Sequence, residues 1–417
     1  MRQPARLLVA ISGGSDSTGL LIALHQVLRT NAFPHITLAA ATIDHALRDT
    51  SAAEAADVAK LCASLGISHT IRRWHGQKPA TGISAAAREA RYRLLAEAAA
   101  ELGATLILTA HTLEDQAETI AMRAARSDTQ ASGLAGMADA VLYDRRIWIA
   151  RPLLFCRRAD IRRLLTDHGL GWIDDPSNTD ARYERVRTRQ ALAATGLPEL
   201  DPQSTTRRTA LSARAADRLR NHAKTIAGAA VQIAPAGLSE PGEDLRHMLS
   251  AAIATVGGRV HGPGRDSMDR VLALLRQPPG GQLTTGRTVL SNRRDGLFIL
   301  RENRGILPLV IAAGDVDLWD DRFEIANLCD VPLTVEGDAD GAIPDLALNL
   351  PSGLARLARK GLPSLSRSDD GQPVGSQDAR ITLRIAPFDL FLPRFDLTLA
   401  DALAAVFGRD PYLPPPF

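Results

Sequence analysis

The feature that most constrains the fold is a regular alternation of strand and helix patterns over the first 170 residues. Strands that alternate with helices pair in parallel through right-handed crossovers. The sequence therefore predicts an α/β fold with a doubly wound parallel sheet, whose ligands bind beyond the carboxyl ends of its strands. The predicted strands cover residues 6–11, 36–43, 67–74, 105–110 and 147–149, and the helices between them cover 18–28, 51–65, 84–102, 114–126 and 159–168.

The pattern changes after about residue 200. Helical periodicity over 205–233, 243–256 and 266–275 is followed by short strands at 288–290 and 297–301, and by a strand-rich stretch near 316–325. Residues 361–376 resemble a loop, and the Pro-rich residues 411–417 are expected to be poorly ordered. At about 150 residues a domain, we expect a domain at 1–200, a helical and α+β domain at 201–310, and a small strand-rich domain with a loop-like tail at 311–417.

Composition excludes several classes of protein. No apolar run approaches the roughly 20 residues of a membrane helix, and the apolar start runs into a glycine loop rather than a signal-peptide cleavage site. Cys62, Cys156 and Cys329 are isolated, which argues against zinc or an iron–sulfur cluster and favours a reducing compartment. We therefore expect a cytoplasmic protein.

Arginine is concentrated in one stretch of the chain. Residues 151–220 contain fourteen Arg and no Lys against nine Asp and Glu, although the net charge of the whole chain is only +2. A GC-rich genome would also enrich arginine, so the composition alone decides nothing. The clustering is compatible with a polyanion partner.

The string SGGSDS, residues 12–17, stands between the first strand and the first helix. Gly13 and Gly14 allow backbone N–H groups to approach an anion, and the helix that follows adds its positive dipole end. Hydroxyl groups come from Ser12, Ser15 and Ser17. Asp16 is an acid in an anion site, which is reasonable if Mg²⁺ joins it to phosphate oxygens. The alternative is an ordinary strand-to-helix turn capped by Asp16 or Ser17.

SGGSDS resembles the signature of the N-type ATP pyrophosphatase (PP-loop) superfamily, whose members cleave ATP between the α- and β-phosphates. Further strings resemble the tRNA(Ile)-lysidine synthetase family, in that family's order and spacing through about residue 190. These strings are DHALR at 44–48, SAAEAA at 51–56, AREARYRLL at 87–95, TAHTLEDQAET at 109–119, GLAGM at 133–137, RPLL at 151–154 and DDPSN at 174–178.

The resemblance implies an ATP-dependent carbon–nitrogen ligase of tRNA modification. Such enzymes adenylate C2 of the wobble cytidine in a CAU anticodon through its oxygen, then replace AMP by the ε-amino group of L-lysine. ATP, Mg²⁺, L-lysine and tRNA(Ile) are the expected cofactors and partners. Related enzymes are often dimeric, so we also expect a homodimer.

His111, Asp115 and Glu118 have a spacing that places them on one face if a helix begins by His111, and otherwise His111 caps the helix from the end of the preceding strand. Two carboxylates suit a cationic amine, and the resemblance implies that Asp115 and Glu118 hold the lysine while His111 acts near the reacting phosphate or base. The alternatives are a solvated helix face with a core histidine, or a metal site. The family commonly has Asp where Glu114 stands, and Glu114 is given no role.

The remaining assignments follow the resemblance. Asp44 and Arg48 are assigned to ATP, unless Arg48 instead pairs with Asp44 or Asp49. Asp16, His111 and Arg187 are assigned to the reacting centre, although an ordinary charged helix face is an alternative for the arginines. Val186 replaces an expected Asn. The side chains assigned to tRNA are Arg88, Arg91, Arg182, Arg185 and Arg189.

Two rival functions have sequence features that separate them. A tRNA thiolase of the same superfamily needs persulfide-carrying or cluster-binding cysteines, and a glutamine-dependent amidotransferase needs a glutaminase-like cysteine; neither pattern is evident. The rival from another class is a tRNA-binding protein with an inactive nucleotide site. The intact loop from Ser12 to Ser17 argues against it.

Overall fold

The computed structural model describes most of the chain. The described residues are 4–126, 135–174, 180, 182, 184–196, 201, 203–226, 228, 230–337, 350, 352–375 and 377–417. Gly133 and Leu134 of one family string, and residues 175–178 of another, lie outside them. Within the described part, no helix combines the length and the apolar character needed to cross a membrane.

The chain divides into two compact units. Unit 1 contains residues 1–205 together with 413–417, and unit 2 contains residues 206–412. Unit 1 is the predicted α/β domain. Its elements are β1 (Ala5–Ala10), α1 (Ser15–Arg29), β2 (Ile36–Asp44), α2 (Ser51–Ser64), β3 (Ser68–Arg73), α3 (Ile83–Glu101), β4 (Leu106–Leu108), α4 (Leu113–Arg126), β5 (Ala140–Tyr143), β6 (Ile147–Ala150), α5 (Arg158–Asp167) and α6 (Glu184–Thr195).

The sheet of unit 1 has the strand order β5-β6-β4-β1-β2-β3. All neighbours pair in parallel except β5, which runs antiparallel to β6. Strand β1 lies at the centre of the sheet between β2 and β4, and its residues Leu8 and Val9 are therefore completely buried. A run of Leu and Val with no polar alternation is typical of a strand covered on both faces.

The strand order reverses between β1 and β4. The chain builds outward from β1 to β3 and then crosses back, so β4 pairs with the other edge of β1. Loops that leave neighbouring strands at such a switch point diverge and open a crevice for ligands. The loops in question are residues 11–14 after β1 and 109–112 after β4, the two segments that carry the predicted chemistry.

Unit 2 is built on antiparallel sheets. One has the order β7-β8-β11-β10-β9, and two smaller ones have the orders β12-β15-β16 and β13-β14-β17. Its elements are α7 (Ser204–His222), β7 (Ala223–Ile226), β8 (Ala230–Ile233), α8 (Pro235–Leu238), α9 (Glu243–Gly257), α10 (Arg265–Leu275), β9 (Gln282–Thr285), β10 (Thr288–Arg293), β11 (Gly296–Arg301), β12 (Leu309–Ile311), β13 (Val316–Trp319), β14 (Phe323–Asn327), β15 (Leu333–Gly337), α11 (Ser352–Lys360), β16 (Pro363–Arg367), β17 (Ala379–Leu383), β18 (Phe391–Pro393) and α12 (Leu397–Val406).

One apolar cluster in unit 2 combines residues from both of its expected domains. Phe298 of β11 packs in the same core as Trp319 and Phe323 of β13 and β14. The division of this part of the chain at residues 310 and 311 stays a prediction.

Several local expectations are wrong. The helix expected over 205–233 ends at His222, and the hairpin of β7 and β8 follows it. The expected loop at 361–376 contains β16, which pairs with β15. The tail is also anchored: Tyr412 is buried, and the backbone oxygen of Leu413 accepts a 2.9 Å hydrogen bond from Nε1 of Trp148.

Candidate active site at the ends of strands β1 and β4

The loop after β1 is held by its own hydroxyl groups. Ser17 Oγ accepts from the backbone N–H of Ser12 at 3.1 Å and donates to the carbonyl oxygen of Gly14 at 3.2 Å. Helix α1 then begins at Ser15, and no side chain caps it at Gly14. Because the first N–H groups of a helix have no partner within it, this end suits an anion.

Gly13 has a conformation and surroundings that suit only glycine. Its φ is +86°, and a Cβ there would stand 2.6 Å from Cδ1 of Ile173. The carbonyl oxygen of Gly13 accepts a 2.9 Å hydrogen bond from the Ile173 N–H. The segment after α5 therefore packs directly on the loop, a contact that the sequence did not predict.

Arg158 connects the loop after β1 with the one after β4. Its Nε donates to Asp16 Oδ2 at 2.9 Å, and its Nη2 lies 3.3 Å from Asp115 Oδ1. The role of Arg158 was not predicted from the sequence. Its partners lie 142 and 43 residues away along the chain, so no local pattern indicated them.

Glu114 also has a structural role that the sequence did not reveal. Both of its carboxylate oxygens accept from the backbone N–H of Arg158, at 3.0 and 3.2 Å. This N–H begins helix α5, so Glu114 caps that helix.

His111 stands before helix α4 rather than in it, because the helix begins at Leu113. His111 therefore does not share the helix face of Asp115 and Glu118, and it lies in the loop between β4 and α4. Its Nδ1 lies 3.1 Å from Thr109 Oγ1. Burial lowers the pKa of His111 to about 3, and Arg151, Arg185 and Arg88 add to this effect. The imidazole is therefore neutral at neutral pH.

Asp115 and Glu118 do share one face of α4, and both carboxylates are paired with arginines. Arg185 bridges them: its Nε donates to Glu118 Oε2 at 2.6 Å and its Nη2 donates to Asp115 Oδ1 at 2.9 Å. Arg189 Nε donates to Glu118 Oε1 at 2.6 Å. The Glu118 side chain is only 1% exposed. The arginines on α6 are thus spaced one helical turn apart and contact the acids predicted to hold lysine.

The electrostatics of Asp115 follow from these contacts. Burial alone would raise its pKa, but Arg185, the backbone N–H of Thr112 and Arg158 together hold the pKa below the usual 3.8. The Thr112 N–H donates to Asp115 Oδ2 at 2.8 Å. Asp115 is therefore a fixed anion at neutral pH.

The loop after β2 carries the residues assigned to ATP. Asp44 Oδ1 accepts from the Ala46 N–H at 2.8 Å, which fixes the turn. Arg48 pairs with Glu54 at 2.8 Å, an acid different from the two considered as its alternatives. Glu54 is thereby held by both Arg48 and Thr50.

The other predicted arginines have different contacts in the described part of the chain. Arg187 Nη1 donates to the Arg182 carbonyl oxygen at 2.9 Å, and Arg182 pairs with Asp180. Arg88 lies over the ring of Tyr92, 4.9 Å from its centroid. Arg91 is a neighbour of His45, whose pKa falls to about 4 chiefly through burial and then through Arg91. Val186, at the position of the expected Asn, is buried.

Comparison with known proteins decides the family. The PP-loop domain family matches residues 2–195. The tRNA(Ile)-lysidine synthase of Rhizobium meliloti (strain 1021) is 43% identical over 99% of this chain and 94% of that protein. The counterpart from Mesorhizobium japonicum is 40% identical over 96% of this chain and 92% of that protein.

The chain belongs to the tRNA(Ile)-lysidine synthase family. It is an ATP-dependent ligase, and its N-terminal part is a PP-loop domain that binds ATP. The family resemblance and the predicted parallel sheet are therefore confirmed. Among solved structures, the U34-tRNA thiolase NcsA from Methanococcus maripaludis with its [4Fe-4S] cluster aligns with a TM-score of 0.39 and 16% identity, over 49% of this chain and 69% of that chain.

Proposed function

We propose that this lysidine synthase joins the ε-amino group of L-lysine to C2 of the wobble cytidine of tRNA(Ile) at the crevice between β1 and β4. The observation that carries the proposal is the position of Arg158. One guanidinium bonds Asp16 of the nucleotide loop and Asp115 of the predicted amine site. The two reactants therefore bind within the reach of a single side chain.

In the first step the O2 of cytidine attacks the α-phosphate of ATP, and pyrophosphate leaves. The loop from Ser12 to Ser17 holds the phosphates with backbone N–H groups and the dipole of α1, which stabilise negative charge that develops there. Asp44 and Arg48 bind the rest of the nucleotide. Adenylation turns O2 into a good leaving group, so no protein nucleophile is required.

In the second step the lysine amine attacks C2, and AMP leaves with the former O2. Asp115 and Glu118 bind the ammonium form, which must give up one proton to water before the neutral amine attacks C2. With its pKa near 3, His111 is a neutral hydrogen-bonding group beside the reacting phosphate or base rather than a general acid. Arg187 is assigned to the same centre.

The residues present suit Mg²⁺ bound largely by ATP. Mg²⁺ commonly takes one or two carboxylates together with substrate phosphates and water. Asp16 supplies one carboxylate beside the loop, and no cluster of three His, Cys, Asp or Glu residues occurs elsewhere in the described part of the chain. When bound, the ion would neutralise phosphate charge. Asp16 would hold it, with Arg158 giving up its bond to that carboxylate.

The tRNA with its CAU anticodon provides the cytidine. Arg88, Arg91 and Arg182 are the arginines assigned to its backbone, with Arg185 and Arg189 once these leave the carboxylates, and residues 201–310 and 311–417 bind the tRNA body. Recognition by arginine and shape suits a protein with 4% aromatic residues, which offers few stacking platforms. We further propose a cytoplasmic location and a homodimer.

A thiolase reaction is opposed by the cysteines themselves. Burial raises the pKa of Cys62 to about 11, so its thiol is not a nucleophile at neutral pH. Cys62, Cys156 and Cys329 are all free thiols.

The test is incorporation of radiolabelled lysine into bulk tRNA, with and without ATP, by the wild type and by Asp16→Ala. Asp57→Ala is the matched control, since Asp57 is an exposed acid paired with Lys60 far along α2. We expect ATP-dependent labelling of the CAU-anticodon isoleucine tRNA that Asp16→Ala loses and Asp57→Ala retains. Pyrophosphate release without labelling would refute lysine as the amine. The absence of both pyrophosphate and labelled tRNA would refute the proposal that the protein catalyses this reaction.

A further inference from the structure

The two carboxylates proposed to bind the substrate ammonium have no free oxygen. Glu118 Oε1 accepts from Arg189, and Glu118 Oε2 accepts from Arg185 at 2.6 Å. Asp115 Oδ1 accepts from Arg185 and Arg158, and Asp115 Oδ2 accepts from the N–H and hydroxyl of Thr112. Each oxygen of Asp115 already accepts two hydrogen bonds, so an ammonium ion can bond both carboxylates only if a donor leaves.

The charges point in the same direction. Three guanidinium groups, those of Arg158, Arg185 and Arg189, pair with the three carboxylates of Asp16, Asp115 and Glu118, so the formal charges of this cluster already balance. A substrate ammonium added to this arrangement would give it an excess of positive charge. Loss of one arginine from the cluster removes the excess and frees the acceptors together.

The contacts identify which arginine leaves. Among the residues that the structure describes, Arg189 pairs with Glu118, and Arg158 is also bonded to Asp16. Arg185 alone bonds both Asp115 and Glu118, which is where an ammonium shared by two carboxylates would sit. Its side chain is 42% exposed, so it can swing away without leaving a buried charge unpaired. Each carboxylate then still keeps one arginine.

We propose that Arg185 occupies the ammonium position of the free enzyme, and that lysine binds by displacing it. The inference rests on the proposed roles of Asp115 and Glu118. Arg185 then competes with lysine from within the chain. The apparent Kd for lysine is the intrinsic Kd divided by the fraction of enzyme in which Arg185 has left the site. Release of Arg185 also leaves Arg189 as the remaining of these two ion pairs between α6 and α4, and it frees a guanidinium for an anion.

The test compares equilibrium lysine binding and the lysine KM in five variants: Arg185→Gln, Arg185→Lys, Gln190→Ala, Asp115→Asn and Glu118→Gln. We expect Arg185→Gln to bind lysine about fivefold to tenfold more tightly, as for a competitor that is in place in roughly 80–90% of molecules. Arg185→Lys keeps the competing cation and should stay within about twofold of the wild type. Gln190→Ala, an exposed neighbour on α6, is the matched control. Asp115→Asn should weaken lysine binding by about tenfold or more.

Hydrogen exchange of wild-type protein gives an independent readout. Saturating lysine should speed exchange of the α6 amides, Glu184–Thr195, because the helix loses the bonds of Arg185 to Asp115 and Glu118 on α4. Weaker binding in Arg185→Gln together with slower exchange would overturn the proposal and make Arg185 a direct lysine ligand. Unchanged lysine binding in Asp115→Asn and Glu118→Gln would instead refute the proposed amine site itself.

Discussion

Substitution of Gly13 by alanine tests how the nucleotide loop is built. At a φ of +86° an L-residue costs roughly 1–2 kcal/mol. The new Cβ would also stand 2.6 Å from Ile173 Cδ1 and 3.1 Å from Val58 Cγ2, and such overpacking typically costs about 1–3 kcal/mol. We therefore expect Gly13→Ala to lower the free energy of unfolding of unit 1 by roughly 2–5 kcal/mol.

The two contributions can be separated because Ile173→Val removes the crowding Cδ1 atom but leaves φ unchanged. Alone it should cost about 0.5–1.5 kcal/mol. In urea unfolding, the double variant should be more stable than the sum of the single effects by roughly 1–2 kcal/mol, while the cost of the positive φ remains. Additivity within about 0.5 kcal/mol would refute the packing argument. ATP affinity should follow the same order, since this contact positions the loop.

Three further outcomes follow from individual contacts. Glu114→Ala removes the cap of α5 and should destabilise the protein by about 0.5–2 kcal/mol, which urea unfolding measures; an unchanged midpoint would show that water replaces the cap. His111, with a folded pKa of about 3 against 6.5 in the unfolded chain, binds its proton on unfolding between these values, so stability should fall as pH drops through that window, by less than about 1.4 kcal/mol per unit. His111→Gln should flatten this dependence between about pH 7 and 5, and an unchanged slope would contradict it. Trp148→Phe should cost about 0.5–1.5 kcal/mol through loss of its bond to Leu413, and thermal unfolding should then respond less to removal of residues 413–417 than in the wild type.

The fold of unit 1 could be predicted because its signals are local. Buried strands such as β1 and the glycine loop after it are written in consecutive residues, and parallel pairing follows from the alternation itself. In unit 2 the helix signal of α7 continues into β7, since Ala223–Ile226 has no turn residue to end it. Strand pairing across the chain, not local propensity, decides that segment.

The site was predictable in its acids and its loop, and less so in its partners. Asp16, Asp115 and Glu118 stand in recognisable strings. Arg158 became visible only when the sheet brought β1 and β4 together, because its partners are distant in the sequence. Arg185 and Arg189 were assigned to RNA from their charge, whereas their contacts in the structure are with Glu118. Charge density indicates a cation, but not which anion it meets.

The return of residues 413–417 to unit 1 has a consequence for biosynthesis. The backbone of Leu413 supplies the acceptor for the completely buried Trp148, so unit 1 lacks this bond until that residue leaves the ribosome. The roughly 200 residues of unit 2 are made in between, which takes on the order of 10–40 s at about 5–20 residues per second. During that interval the Trp148 indole lacks its Leu413 acceptor, so unit 1 reaches its full set of bonds only after unit 2 has been synthesised.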